Sequence, residues 1–151
     1  MKKVCNLILG MIAIGLSACG GHGVYSEFRS IGQGGWDMND TLQYRVEWTD
    51  TVQPYDVMLY LRHTADYPYQ NIWLFVDIVR PDSSVARDTI EFYLADGRGR
   101  WLGDGGSIKE MSVIYSDGQT FRQAGAYTYM IRQAMRDTVL AGITDVGISI
   151  E

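Results

Sequence analysis

The sequence predicts an all-β fold, a single antiparallel β-sandwich of about eight strands with jelly-roll or immunoglobulin-like topology. Three observations support this class. Apolar and polar residues alternate with a period of two through several segments, as they do in half-buried strands. Turn signals rich in glycine, aspartate and serine separate these segments, which is typical of a sandwich. No segment keeps the spacing of an amphipathic helix, so the crossover helices of a parallel α/β fold are missing.

The first 18 residues have the organisation of a lipoprotein signal peptide. Lys2 and Lys3 precede an apolar run over residues 4–16, which ends in Leu16-Ser17-Ala18-Cys19. Small residues before a cysteine form a lipobox, so we expect cleavage before Cys19 and lipid attachment to its thiol. The apolar run is shorter than the helix of about 20 residues that spans a bilayer. A free cysteine that ends an ordinary secretory signal is the alternative.

The rest of the chain divides into a tether and one domain. Residues 19–23 are glycine-rich and predict a flexible tether, and residues 24–151 are long enough for one domain with its own core. Loss of Lys2 and Lys3 with the signal takes the net charge from −5 to −7. An acidic domain lacks the basic surface that nucleic acids require. With Cys5 removed and Cys19 lipidated, no thiol is left for a disulfide, a metal or catalysis.

The first half of the domain contains four predicted strands. Residues 42–49 carry apolar side chains at even positions, and residues 55–62 carry them at odd positions after a break at Gln53-Pro54. A turn over residues 66–71 leads to residues 72–79, which are apolar on both sides. That pattern predicts a central strand covered on both faces, or one whose outward face is hidden by something else. A turn over residues 80–84 precedes the fourth strand, in which Ile90, Phe92 and Leu94 share one side.

The second half alternates between loops and strands. The glycine-rich residues 96–106 predict loops around one short extended piece. Ser116-Asp117-Gly118 predicts a turn, and residues 134–136 could start a single helical turn. Three further strands are predicted, at residues 108–115, 126–132 and 146–150.

No arrangement of residues predicts a catalytic or metal site. His63 is the only histidine inside the domain, and no Gly-x-Ser-x-Gly elbow accompanies it. The Asp-Gly pairs at residues 96, 104 and 117 could contribute calcium ligands, but the EF-hand spacing is absent and turns explain them better. We therefore expect no catalytic residue, no metal and no cofactor.

Four aromatic residues are the candidates for an interaction site. They are Tyr67, Tyr69, Trp73 and Trp101. Such rings stack on sugars in many β-sandwich modules, and they also fill sandwich cores and protein interfaces. Core or interface positions are favoured over a glycan platform.

Four segments, together with the lipobox, resemble the gliding-motility lipoprotein family GldH. They are residues 67–76 (YPYQNIWLFV), 94–103 (LADGRGRWLG), 133–136 (QAMR) and 140–147 (LAGITDVG). The resemblance covers nearly the whole mature chain. It implies an envelope lipoprotein that supports the gliding machinery, alongside a dedicated secretion apparatus of the outer membrane. It implies no enzyme activity, and no catalytic or ligand-binding residue is carried over.

The sequence leaves two functional hypotheses open. The first is a lipid-anchored component of the cell envelope that binds proteins of a gliding or secretion complex. The second is a glycan-binding β-sandwich lipoprotein. Lipoproteins exported to the surface of such bacteria carry acidic residues just after the lipidated cysteine, whereas here Glu27 is the first acid after Cys19. We therefore expect anchoring at the periplasmic face of the outer membrane.

Overall fold

The computed structural model describes residues 24–151, which form ten β-strands. The strands are β1 (Tyr25–Ser30), β2 (Trp36–Asp37), β3 (Leu42–Trp48), β4 (Pro54–Thr64), β5 (Asn71–Val79), β6 (Val85–Tyr93), β7 (Ile108–Thr120), β8 (Gly125–Gln133), β9 (Val139–Leu140) and β10 (Ile143–Ile150). Cys19 and the predicted tether of residues 19–23 lie outside the described residues. Between residues 24 and 151, no helix is long and apolar enough to cross a membrane.

Eight of the strands form two four-stranded antiparallel sheets. Their orders are β1-β10-β4-β7 and β3-β8-β5-β6, and the short strands β2 and β9 pair with each other. Consecutive strands of the two sheets alternate from one sheet to the other, except for the β5–β6 hairpin. This connectivity is that of a jelly roll, whereas an immunoglobulin-like sandwich keeps more consecutive strands in one sheet. The predicted all-β sandwich is confirmed, and the structure selects the jelly roll from the two predicted topologies.

The core lies between the sheets, and period-two alternation places its residues there. On β3, Tyr44, Val46 and Trp48 are buried while the intervening residues are exposed. On β4, the inward side chains include Val57, Leu59 and Leu61. Both faces agree with those predicted from the sequence. Burial of these apolar side chains is the main stabilising contribution of the fold, at about 25 cal/mol for each Å² removed from water.

The strand β5 is central in its sheet, between β8 and β6, as predicted, but of the two alternatives for its faces, the one in which both are covered is wrong. Ile72, Leu74 and Val76 are buried, whereas Trp73 and Phe75 on the opposite face remain 39% and 41% exposed. Apolar residues on both sides of a strand indicate that both faces are suited to burial. They do not show that other residues of the same chain cover both faces.

The predicted turn at residues 116–118 is wrong, because strand β7 continues through it to Thr120. The pairing of β7 with β4 shifts register near Val57. Gly118 has φ +60°, and its backbone N–H donates to Asp56 Oδ1 at 2.7 Å. A β-bulge uses the same left-handed glycine conformation as a turn, so the two have the same sequence signal.

The alternative of a helical turn at residues 134–136 is also wrong. No helix is present there, and the side chain of Gln133 organises the connection instead. Its Nε2 donates to the Asp137 carbonyl at 2.7 Å, and its Oε1 accepts from the Met135 N–H at 2.8 Å. These bonds give hydrogen-bond partners to two backbone groups of a loop whose sequence shows neither strand nor helix periodicity.

Candidate interaction site

The four segments that carry the sequence resemblance meet at one end of the sandwich. This motif end holds the β4–β5, β6–β7 and β8–β9 connections. The N–H groups of Leu94 and Ala95 both donate to the Gln70 carbonyl, and the Ala134 N–H donates to the Trp73 carbonyl at 2.8 Å. Segments that are far apart in sequence are therefore tied together by backbone hydrogen bonds at this end.

Tyr67 is a structural anchor of the motif end. Its ring is buried, and its hydroxyl donates to the Asn71 carbonyl at 2.8 Å. Its backbone lies against Gly142, where a Cβ atom would come within 2.7 Å of the Tyr67 N and Cα atoms. Two of the four segments, residues 67–76 and residues 140–147, thus pack on each other through Tyr67 and Gly142.

His63 and Trp101 pack beside Tyr67. The His63 ring is fully buried, and its centroid lies 4.6 Å from that of Trp101 and 5.8 Å from that of Tyr67. Nδ1 is 2.9 Å from the Thr64 carbonyl oxygen. A carbonyl only accepts, so Nδ1 carries the proton of the neutral ring, and Nε2 is buried without a hydrogen-bond partner. His63 is therefore a core residue near the end of β4.

The burial of His63 makes stability depend on pH. Burial lowers its pKa from 6.5, Lys109 lowers it further, and the Thr64 hydrogen bond opposes both. The unfolded chain therefore takes up a proton at a pH where the folded protein does not, and stability falls as pH drops through the unfolded pKa.

We expect His63→Phe to remove this pH dependence. Between about pH 7 and about pH 5.5, the wild-type free energy of unfolding should fall by about 1 kcal/mol more than that of the variant. Urea denaturation at both pH values measures the difference. His22 is present in both proteins, so the comparison isolates His63. Equal losses of stability would contradict the buried, neutral state of this ring.

Tyr69 lies at the surface of the motif end. It is 37% exposed, and its hydroxyl donates to Asp137 Oδ2 at 2.8 Å. This carboxylate raises the pKa of the Tyr69 phenol, chiefly through that hydrogen bond. The contact joins the β4–β5 connection to the β8–β9 connection.

Trp73 belongs to an exposed aromatic face on the outer side of the β3-β8-β5-β6 sheet. We define this aromatic face as Trp73 and Phe75 of β5, Tyr93 of β6 and Arg132 of β8. The three rings are 39%, 41% and 61% exposed, respectively. Phe75 and Arg132 are cross-strand partners, and the guanidinium lies over the Phe75 ring at 5.7 Å from its centroid. Aromatic and arginine side chains in this arrangement are typical of the centre of a protein interface.

A nearly buried carboxylate borders the aromatic face. Asp77 is only 7% exposed, and its two oxygens lie 3.5 Å from Arg87 and Arg132. Arg87 itself is exposed. The carboxylate therefore holds two arginine side chains beside Phe75, where each keeps donors free for a partner.

The four predicted aromatic residues do not share one platform. Tyr67 is in the core and Trp101 packs on His63, whereas Tyr69 and Trp73 present more than a third of their surface. Sequence reasoning missed Phe75, Tyr93 and Arg132. The apolar pattern on both sides of residues 72–79 contained a signal for Phe75, but the cross-strand neighbours depend on pairing that sequence spacing does not reveal.

The described residues hold no ready-made metal centre. Among residues 24–151, no group of three or more histidine, cysteine, aspartate or glutamate side chains converges. Asp96 of the first Asp-Gly pair accepts hydrogen bonds from the Arg98 and Arg100 N–H groups and from the Arg100 side chain. Its oxygens therefore organise the loop that they belong to.

Comparisons with known proteins agree with the resemblance. A family model described as GldH lipoprotein matches residues 23–150. A protein of Christiangramia forsetii named gliding motility lipoprotein GldH homolog is 34% identical over 160 aligned positions, which cover 100% of this chain and 98% of that protein. A protein of Flavobacterium johnsoniae named gliding motility lipoprotein GldH is 32% identical, and the alignment covers 95% of this chain and 94% of that protein.

Proposed function

Because the chain belongs to the GldH lipoprotein family, we propose that it is a non-enzymatic component of the cell envelope that supports gliding motility and the associated secretion machinery. It acts by binding other envelope proteins. The observation that carries this proposal is the aromatic face. Trp73, Phe75 and Tyr93 form an exposed apolar surface on a sheet whose opposite side is the core, and such a surface on a folded domain marks an interaction site.

The placement of the aromatic face suits a protein anchored at its N-terminus. Val24 bonds to the Ile150 carbonyl at the end of the sandwich opposite the motif end. A lipid on Cys19 would hold that opposite end near the bilayer, so the motif end and Tyr69 would point away from it. Confinement to a membrane raises the effective concentration of the domain near membrane-bound partners, so weak contacts are sufficient.

We propose that the anchor holds the domain at the periplasmic face of the outer membrane. Support comes from the lipobox at residues 16–19 and from the absence of an acidic residue between Cys19 and Glu27. Polypeptide components of the gliding or secretion machinery that reach the periplasm are then the partners within range.

We expect the double variant Trp73→Ser with Phe75→Ser to remain folded and to lose its partners. The two side chains are 39% and 41% exposed, so truncation of both should cost about 2–4 kcal/mol of stability, less than the about 5–15 kcal/mol that a folded domain typically has. Removal of two aromatic residues from an interface centre costs about 2 kcal/mol or more of binding free energy. The measurement is co-purification of tagged protein from gently solubilised envelopes after mild crosslinking, with identification of the recovered proteins.

The matched control is Ile114→Ser on the outer face of the other sheet. Ile114 is 58% exposed, so its replacement removes exposed apolar surface away from the aromatic face. Wild type and Ile114→Ser should recover gliding or secretion proteins, and the double variant should not. Recovery of the same proteins by the double variant would contradict the aromatic face as the contact surface, and recovery of none by the wild type would contradict the assembly role.

A further inference from the structure

Strand β6 has a free edge. Among residues 24–151 it pairs with β5 on one side and with no strand on the other. Its pairing with β5 is unbroken over all nine residues, and it contains no proline, no lysine and no bulge, three devices that protect sheet edges from other chains. Another strand can therefore join this edge.

The backbone groups on the free edge belong to alternate residues of β6. The Leu94 N–H, directly after the strand, donates to the Gln70 carbonyl on the side of β5. The Thr89 N–H donates instead to Asp88 Oδ1 at 2.8 Å. In an antiparallel pair, residues alternate between those that bond to the neighbouring strand and those whose backbone groups point away from it. The residues with backbone groups on the free edge are Val85, Arg87, Thr89, Glu91 and Tyr93.

The side chains of these residues lie on the outer face of the sheet, because Ile90 and Phe92 between them pack in the core. The Arg87 side chain is 80% exposed, and Val85 and Tyr93 are also exposed. The free edge therefore presents both its hydrogen-bonding groups and its side chains to a second strand.

The free edge is complementary to itself. When a second copy of β6 runs antiparallel with Thr89 opposite Thr89, Arg87 of each copy lies opposite Glu91 of the other. In the same register, Val85 lies opposite Tyr93. Opposite charges and aliphatic-aromatic pairs both stabilise neighbouring strands. The register also places the free N–H and C=O groups of one copy opposite those of the other, as a hydrogen-bonded ladder requires.

Other registers lose this complementarity. A shift of two residues in either direction removes both opposite-charge pairs, and a shift of four residues places Arg87 opposite Arg87 or Glu91 opposite Glu91. Like charges directly opposite each other destabilise a strand pair. The charge pattern of β6 therefore selects the register centred on Thr89.

The other three sheet edges lack this pattern. On β1 and β3 the charged side chains pair within the strand, Arg29 with Glu27 at 2.6 Å and Arg45 with Glu47 at 2.9 Å. The edge strand β7 shifts register against β4 near Val57, so it is less regular than β6. Only β6 combines a regular edge with charges that a second copy would pair.

We propose that two copies of this protein associate through β6, in the antiparallel register centred on Thr89, and form one continuous eight-stranded sheet. The Thr89 carbonyl of each copy replaces Asp88 as the acceptor for the Thr89 N–H of the other. Such a contact is two-fold symmetric and closes after two copies. It goes beyond the proposed binding of envelope proteins, because Trp73 and Phe75 are on β5 and take no part in it.

The two-fold axis is compatible with two lipid anchors in one membrane. It is perpendicular to the joined sheet, so the two Val24 residues lie at opposite ends of the pair but at the same distance from a bilayer parallel to the sheet. Each pair member would then lie along the bilayer, with its aromatic face turned away from it, and residues 19–23 would span up to about 17 Å from the lipid to Val24. Confinement of both copies to one membrane raises their effective concentration and favours a contact of this size.

The test uses cysteine variants of the full-length lipidated protein in isolated envelope membranes, treated with a mild thiol oxidant. Residues 24–151 contain no cysteine, and the wild type gives the background. In the proposed register, the two Cα atoms of residue 89 are about 5.5 Å apart, within the range that a disulfide bridges. We expect Thr89→Cys to form a disulfide-linked dimer.

Val85→Cys is the matched control, on the same edge and the same face. Its two copies would be about 27 Å apart, eight residues along the strand, so we expect at least tenfold less dimer than from Thr89→Cys. When Val85→Cys and Tyr93→Cys proteins with different tags are produced together, the two positions face each other. We expect a mixed dimer in at least tenfold excess over the dimer of either variant alone.

Thr89→Pro is the disrupting variant. Proline removes the N–H from the free edge, and its ring blocks the approach of a second strand. We expect it to lower the mixed dimer of Val85→Cys with Tyr93→Cys by at least tenfold. The Thr89 N–H does not bond to β5, so the urea midpoint of Thr89→Pro should stay close to that of the wild type. If proline does unfold the domain, the three cysteine measurements still decide the register.

Three results would overturn the proposal: no dimer from Thr89→Cys above the wild-type background, equal dimer from Thr89→Cys and Val85→Cys, or a mixed dimer that a folded Thr89→Pro protein retains. The combined Trp73→Ser and Phe75→Ser change should leave the Thr89→Cys dimer unchanged. Loss of the dimer is thereby distinguished from loss of the partner proteins proposed for the aromatic face.

Discussion

Gly142→Ala is expected to destabilise the protein by about 3 kcal/mol. Gly142 has φ +86°, a conformation that costs a residue with a Cβ atom about 1–2 kcal/mol. The new Cβ atom would also lie 2.7 Å from the Tyr67 N and Cα atoms. Because the obstacle is backbone, no side-chain rotation relieves the contact, and the β4–β5 connection must move. The loss is a large part of the total stability of a domain, about 5–15 kcal/mol.

The stability of Gly142→Ala is measured from the midpoint of its urea denaturation, compared at the same dependence of the unfolding free energy on urea concentration. Gly97→Ala is the matched control. Gly97 lies in an exposed turn, its φ is not positive, and a Cβ atom there would meet nothing within 4 Å. We expect Gly97→Ala to change stability by about 0.5 kcal/mol or less. Equal midpoints for the two variants would show that Tyr67 does not pack on Gly142 as described.

Cys19→Ala is expected to abolish function while the domain remains folded. Without the thiol, no lipid can be attached at residue 19, so the predicted anchor is lost. The protein should move from the membrane fraction to the soluble fraction of the envelope, and gliding or secretion should fall to the level of a deletion strain. Fractionation, together with a motility or secretion assay, measures both effects.

The controls for Cys19→Ala are Cys5→Ala and exposure of intact cells to protease. Cys5 lies inside the predicted signal peptide, so its replacement should leave anchoring and function unchanged. The wild-type protein should resist added protease until the outer membrane is opened. Wild-type function from an unanchored Cys19→Ala protein would refute the anchored mechanism, and cleavage in unbroken cells would refute the periplasmic location.

Most strands were predictable because alternation is a local property of the chain. In β3 and β4, the predicted apolar faces are those that the structure turns toward the core. The two short strands β2 and β9 carry no such signal, yet they place Trp36 and Leu140 in the core. Two-residue strands are too short for periodicity to be detected.

The candidate site was less predictable than the fold. Trp73 and Tyr69 were identified as residue types suited to an interface, and the structure leaves both partly exposed. Tyr67 and Trp101 are aromatic residues of the same kind, but Tyr67 is buried and Trp101 packs on His63. Aromatic rings serve cores and surfaces alike, so residue type alone does not separate the two.

The sequence by itself determined the positions of most strands and the core-facing sides of β3 and β4, and it predicts the anchor at Cys19, because these features depend on residues that are neighbours along the chain. Only the tertiary structure decided the jelly-roll connectivity, the pairing of Phe75 with Arg132, and the meeting of Tyr67 with Gly142. These features join residues that are distant in sequence, and their contacts depend on how both sheets pack together.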